Sequence, residues 1–500
     1  MNRKGLSCRG GWLRHASAIA RFGVSALAAW ILVLHPATAL SAGPEIFLQE
    51  EPESYLIIDK LQGFGLLPGL MTGDRGLEAR EVSREAGIAV ETGDPDVDGM
   101  VRFLRLGGLP DWDYRLRVGL EYSREGRVPA NAQGLPVLKD GDIRVGGFFR
   151  GAPADWMALQ ARGDYLVGTD GERIGRLEEA SLRLGWPQAT LEAGRFSLWW
   201  GPGRHGALLF TTNAEPLTGI RFRNPRPIPL GWWFRFLGLF QYDLFVARLE
   251  ADRPIPHPFL AGMRLAVKPK PWLELGVSRA MYLGGEGRSV TWSTIGDVLT
   301  TQKENELEGA GNQLASFDVK VRLPFQWQPV VMYVEGGAED HAIGWQPSKW
   351  AWLGGVFLPS IGDRKEMDIR IEFADTYDSA NGRGIWYRHI ASNQGYAHIY
   401  RRQILGHHLG TDARDLFVET HYFFVPTSYL ELNVDLTQRF WPGPAREDSR
   451  RISAGFVHWF SRNVRAEGRL AYERVSNEGG ISGNDSRDAS IQAALAYQYR

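Results

Sequence analysis

Two adjacent tryptophans, Trp199 and Trp200, lie between Arg195 and the pair Asn213 and Glu215, in a segment broken by Gly201-Pro202-Gly203. An indole presents a wide rigid face at little entropic cost and stacks on the apolar face of a sugar ring, while guanidinium, amide and carboxylate groups hydrogen-bond hydroxyls. These five residues are therefore candidates for carbohydrate binding. The competing reading is structural: the Gly-Pro-Gly turn shapes a loop folded into the protein, and both indoles serve as packing or as an interfacial girdle. Trp292, Trp345, Trp386 and Trp441 admit the same two readings.

Other constellations point to less. His407, His408 and Asp412 have metal-ligating side chains, but adjacent histidines on a loop point apart and no second shell can be assigned, so no metal is expected. Glu335, Glu339 and Asp340, and then Glu372, Asp375 and Asp378, have the residue types of a general acid–base pair. The same carboxylates suit a hydrated inner wall, and that is how they are read. There is no Gly-x-Ser-x-Gly elbow, no phosphate-cradling Gly-Lys-Ser/Thr loop and no paired-cysteine motif. Neither an enzyme nor a cofactor is expected.

What must position these residues follows from composition and periodicity. The 500 residues are 44% hydrophobic and 23% charged, which excludes a disordered chain. A mean hydropathy of -0.26 and the lack of a long apolar run after the first forty residues exclude a polytopic helical membrane protein. Arg3, Lys4, Arg9, Arg14 and Arg21 precede an apolar run from Val24 to Leu34, and Ala37-Thr38-Ala39 has the small-x-small pattern of a signal-peptidase site. Residues 1–39 are read as a signal peptide. Its removal takes the only cysteine, Cys8, and leaves 52 basic against 58 acidic residues, a balance that excludes a nucleic-acid partner.

Residues 40–112 read as a small helical bundle. Ser54 can cap a helix carrying Tyr55, Ile58 and Leu61, and Leu77 to Ala86 has one apolar face. Asp94-Pro95 can open a further helix with Val97, Met100, Val101 and Leu104 at helical spacing, stopped by Gly107 and Gly108. The period then changes to two. Leu116, Val118, Leu120 and Tyr122 alternate with Arg115, Arg117, Glu121 and Ser123, and the pattern returns around 430–437 and 464–473. Dense charge on one face of strands this long suits an all-β transmembrane antiparallel barrel with an apolar outside and a watery lumen. Short turns alternate with long linkers, and about eighteen crossings fit residues 113–500, with Gly231 to Asp252 taken as one long strand. This parity puts both ends of the barrel in the periplasm and the long loops, the tryptophans among them, outside.

The block from Gly194-Arg195-Phe196-Ser197-Leu198-Trp199-Trp200-Gly201-Pro202-Gly203 to Thr212-Asn213-Ala214-Glu215-Pro216 resembles the capsule assembly protein Wzi family. Ala261-Gly262-Met263-Arg264-Leu265, Gly284-Gly285-Glu286-Gly287-Arg288, Gly311-Asn312-Gln313-Leu314 and Leu409-Gly410-Thr411-Asp412-Ala413 keep the family's order. The resemblance implies an eighteen-stranded outer-membrane barrel, closed on the periplasmic side by a helical plug. It further implies a surface lectin that attaches capsular or exopolysaccharide to the cell. The partners expected are that polysaccharide and outer-membrane lipid, with the chain a monomer. A carbohydrate-selective porin is the alternative.

Overall fold

The computed structural model describes residues 45–46, 50–106, 112–291, 310–325, 327–339, 349–378, 384, 386–387 and 396–499. The signal-peptide reading, Gly107, Gly108, Trp292, Asp340, Trp345 and Arg500 lie outside these residues.

Three helices come first: α1 (Pro52–Gly63), α2 (Ala79–Ile88) and α3 (Pro95–Leu106). Pro52 opens α1, so the cap position is Glu51 and not Ser54, which lies buried within the first turn. For α3, the Asp94 carboxylate accepts from the backbone N–H groups of Asp96 and Val97, both at 3.1 Å. Its buried side chains are Val97, Met100, Val101 and Leu104.

Among the described residues a separate two-stranded sheet pairs Ile399–Tyr400 with Gln403–Ile404, and the main sheet has 19 members, of which the two-residue Ile228–Pro229 is the shortest, leaving eighteen full strands. In chain order they are β1 (Trp112–Ser123), β2 (Asp142–Ala154), β3 (Met157–Gly168), β4 (Arg173–Trp186), β5 (Ala189–Phe196) and β6 (Leu217–Arg223). Next come β7 (Leu239–Arg248), β8 (Phe259–Lys270), β9 (Leu273–Leu283), β10 (Ala310–Leu323), β11 (Val330–Glu339) and β12 (Trp350–Leu358). The series ends with β13 (Met367–Asp375), β14 (Arg414–Val425), β15 (Ser428–Arg439), β16 (Glu447–Trp459), β17 (Val464–Ser476) and β18 (Ser486–Tyr499). Each full strand pairs antiparallel with its neighbours in sequence, and β1 pairs with β18 as well as β2, from Tyr114 opposite Tyr499 to Ser123 opposite Ser490. The sheet is closed and has no free edge.

The pleat sorts the residues. On β1, Leu116 and Leu120 are more than half exposed while Arg115 and Glu121 are buried. An apolar outer belt around a charged interior is the arrangement a bilayer demands of a barrel. Tyr114 stacks on Tyr499 across the closing seam at 5.2 Å, and Trp112 on Phe149 at 5.4 Å, both on the outer face.

Gly231 to Asp252 supplies one crossing, but it is not one long strand. Trp232–Leu237 is a 3-10 helix, and Gly238, at φ 70°, turns the chain where a Cβ would meet the Lys268 carbonyl oxygen at 2.1 Å. The exposed Trp232, Trp233 and Phe236 thereby form an aromatic patch on the periplasmic rim.

The lumen is filled at two levels. At the end carrying the short turns, α1 to α3 pack together and against Phe423, Tyr429 and Val457 of the wall. Toward the long-loop end, the 197–216 loop and parts of the 376–413 loop turn inward and build a second buried cluster around Trp200, Phe210, Trp386 and Tyr387.

Candidate functional site

The inward course of the 197–216 loop follows from its sequence. Gly201, at φ 147°, lies where a Cβ would come within 2.7 Å of both Ala207 and the Glu335 carboxylate. A Cβ on Gly206 would enter the His407 ring at 2.1 Å. With those positions bare, the loop penetrates far enough for Gly201 N–H to donate to the Gly73 carbonyl at 2.8 Å, joining it to the segment between α1 and α2.

Buried wall carboxylates satisfy the backbone N–H groups this inward turn leaves unpaired. Glu335 accepts from Leu208 N–H at 3.1 Å, and Glu372 accepts from the N–H groups of Arg204 and His205 at 2.6 and 2.9 Å. Glu339 accepts from Tyr387 N–H at 2.9 Å. These carboxylates do line the lumen, as expected, but they are buried there, covered by the folded-in loops. A carboxylate accepting N–H groups in a buried site is a strong anchor.

The five carbohydrate candidates divide between two settings. Trp200 is fully buried; its Nε1 donates to Asp243 at 3.0 Å, and its ring meets Phe210 edge-on at 5.0 Å. Asn213 donates from Nδ2 to the Ile404 carbonyl at 3.0 Å and ties the two inward loops together. Arg195 and Glu215 form an ion pair of 2.7 Å nearer the surface, where Glu215 also meets Arg401 at 2.8 Å and Arg176 at 3.4 Å. Trp199 is largely buried, with Nε1 donating to the Gly203 carbonyl at 3.1 Å, and it contributes to the wall of a cavity. The structure thus joins Arg195 to Glu215 and sets Trp200 apart in the packed interior. Of the other tryptophans, Trp386 is buried, whereas Trp441 lies on the rim under two guanidinium groups, Arg414 at 4.5 Å and Arg446 at 5.4 Å from its ring.

That cavity, of about 710 Å³, was not legible in the sequence. It runs from the 127–137 loop and the outer ends of β15 to β18 down to Pro52 at the start of α1. Charges of both signs line it in pairs: Arg469 with Glu431, Arg117 with Glu467 at 2.6 Å, and Glu473 with Arg127 at 3.1 Å and Arg451 at 3.5 Å. Such a surface offers alternating donors and acceptors to a polyhydroxylated ligand. A signal for it was present in the alternation of Glu431, Asn433 and Asp435 on β15, three lumen-side residues that line it.

Below the cavity, the helices are tied to the wall by buried ion pairs. Lys60 meets Asp368 at 3.2 Å, Asp59 meets Arg370 at 3.0 Å, Glu53 meets Arg465 at 3.1 Å and Glu51 meets Arg150 at 2.6 Å. Asp59 also accepts from Arg75 at 3.2 Å, and these guanidinium groups outweigh the burial that would raise its pKa, holding it well below the ordinary carboxylate range.

His407 and His408 lie in the second loop to turn inward, and Asp412 accepts from Gly384 N–H at 2.7 Å. Asp412 is not among the groups gathered around the two histidines; Asp415 and Asp435 from the wall are, together with His205.

Comparison with known proteins places this architecture. The chain is 32% identical over 237 residues to an uncharacterized 55.8 kDa protein in the cps region of Klebsiella pneumoniae, and the match covers 46% of each chain, about half of that relative's length. It superimposes with a TM-score of 0.71, at 22% identity, on Wzi, an outer membrane protein involved in group 1 capsule assembly in Escherichia coli and described as a carbohydrate-binding β-barrel. That match covers 88% of this chain and 97% of the Escherichia coli chain. The sequence profile of the capsule assembly protein Wzi family matches residues 117–489, and with a closed barrel whose lumen is filled by its own helices and loops, the chain belongs to that family.

Proposed function

We propose that this protein binds capsular or exopolysaccharide at the loop end of an outer-membrane barrel and holds it at the cell surface, acting by binding and without catalysis. The observation that carries this reading is the cavity of about 710 Å³ with its paired charges, set over helices that fill the barrel beneath it. Family membership and the carbohydrate binding attributed to the Escherichia coli relative support it. In this reading residues 1–39 direct export, 40–112 close the periplasmic mouth and 113–500 form the barrel. The apolar belt faces lipid, and one chain, whose sheet closes on itself, makes the whole barrel and works as a monomer.

Arg195 and Glu215, with Arg401 beside them, offer polymer contacts on the rim, and Trp199 offers one in the cavity wall. Trp200 and Asn213 serve the same site by fixing the loop. The test is surface polysaccharide normalised to folded barrel in cells carrying single substitutions. Deletion of the protein should release polymer into the medium. Arg195→Ala and Trp199→Ala should lower the ratio, whereas Trp200→Ala, which empties a buried site at a cost of about 3 to 5 kcal/mol, should first lower the amount of folded protein. Unchanged ratios for the first two variants would remove them from the binding surface, and retention unaffected by the deletion would sink the function.

A further inference from the structure

We infer that His205, His408 and Asp435 form a binding site for a divalent transition-metal ion, zinc by its donor set, which pins both inward loops to the barrel wall. The three side chains come from three separate elements: the 197–216 loop, the 376–413 loop and β15. Their ligand atoms all lie within 4.8 Å of one another. His205 Nε2 is 3.4 Å from Asp435 Oδ2 and 3.4 Å from Asp415 Oδ2. Zinc–ligand bonds of about 2.0 to 2.1 Å in a tetrahedron set neighbouring ligands roughly 3.3 Å apart, so this spacing is that of two ligands on one ion.

Unmade hydrogen bonds point the same way. His205 Nε2 and both ring nitrogens of His408 are buried, and none has a hydrogen-bond partner among the described residues. An imidazole buried with both nitrogens idle is costly unless something else takes a lone pair. Two aspartates from the wall, Asp415 and Asp435, stand beside these rings. Arg439, from the same wall, is paired with Glu447 at 2.8 Å.

The surroundings orient the ligands. The Thr437 hydroxyl lies 3.1 Å from Asp415 Oδ1 and 2.9 Å from Asp435 Oδ1, so it engages one oxygen of each carboxylate while the Oδ2 atoms face His205. The His205 ring stacks on Phe417 at 3.7 Å, nearly parallel. Groups of this kind hold a metal ligand in its working orientation. Asp415 or a water from the adjoining cavity can complete the tetrahedron. Two imidazoles with a carboxylate suit zinc, whereas an all-oxygen set would suit calcium.

The test uses the untagged full-length chain in detergent, stripped with chelator, then dialysed against zinc alone and analysed for bound metal, with cobalt as a spectroscopic stand-in. The wild type should retain one ion per chain and give the intense visible bands of tetrahedral cobalt. His408→Ala deletes no hydrogen bond of the metal-free protein, so it should fold normally, judged by heat-modifiable mobility, and retain less than a tenth as much metal. Thr437→Val should weaken binding about 10- to 100-fold. His257→Ala, on another external loop, should bind as the wild type does. Absence of retained zinc in the wild type would overturn the proposal, and so would equal retention in folded wild-type and His408→Ala protein. If His408→Ala does not fold, His408→Gln decides by the same criterion.

Discussion

His398 shows how much the inward loops ask of one side chain. Its Nε2 lies 2.6 Å from the Leu209 carbonyl and must donate to it, which leaves Nδ1 to accept from the Tyr282 hydroxyl at 2.8 Å. Both bonds are met by the neutral ring, and burial pushes its pKa down from the usual 6.5 to about 4. Between those values the unfolded chain binds the additional proton, so stability rises with pH across the window. The contribution is complete above pH 6.5 and is lost as pH falls through 4, a change of about 3 kcal/mol. Acidification from pH 7 to 4.5 should therefore lower the amide-exchange protection factors, each rate taken relative to the intrinsic rate at that pH, in residues 396–405. His398→Gln should flatten that pH dependence; the same acid profile in variant and wild type would show that another group controls the loop.

Among the elements, β15 offers the sharpest test of barrel sidedness. Leu432 faces outward and Asn433 faces the cavity, opposite Glu419 on β14. An arginine facing lipid near mid-strand costs about 2 to 4 kcal/mol, while a lumen position tolerates charge. Leu432→Arg should therefore reduce heat-resistant folded barrel in the membrane, and Asn433→Arg should leave it near the wild-type amount, with Glu419 at hand as a counter-ion. Equal assembly defects in the two variants would contradict the assigned faces.

For the whole molecule, closure of the sheet and closure of the lumen are separable. Pairing of β1 with β18 completes the barrel without help from the helices, whereas the helices need the wall for both their apolar contacts and their ion pairs. Removing residues 45–110 should leave a barrel that inserts and conducts in planar bilayers far better than the intact protein. A truncated barrel that inserts but conducts no better would refute the proposed periplasmic closure, and high conductance of the intact protein would favour the porin reading.

The sequence by itself determined the features governed by local period. Leu116, Val118, Leu120 and Tyr122 fall on one face of β1 because side chains alternate every residue in a strand, and that face is the exposed one. Val97, Met100, Val101 and Leu104 were legible for the corresponding reason in a helix. Tertiary structure alone decided what fills the lumen. Nothing near Trp200 reveals Asp243 as the acceptor of its indole N–H, and nothing near Glu372 reveals the N–H groups of Arg204 and His205, because these partners are separated by many residues and meet only after the barrel closes. The same holds for His205 beside His408. Sequence distance separates them by two hundred residues, roughly, and an inward loop course that two bare glycine positions permit brings their rings to 4.5 Å. Periodicity encodes which face a residue occupies, but loops have no period, so their destination is set by the buried donors and acceptors they find.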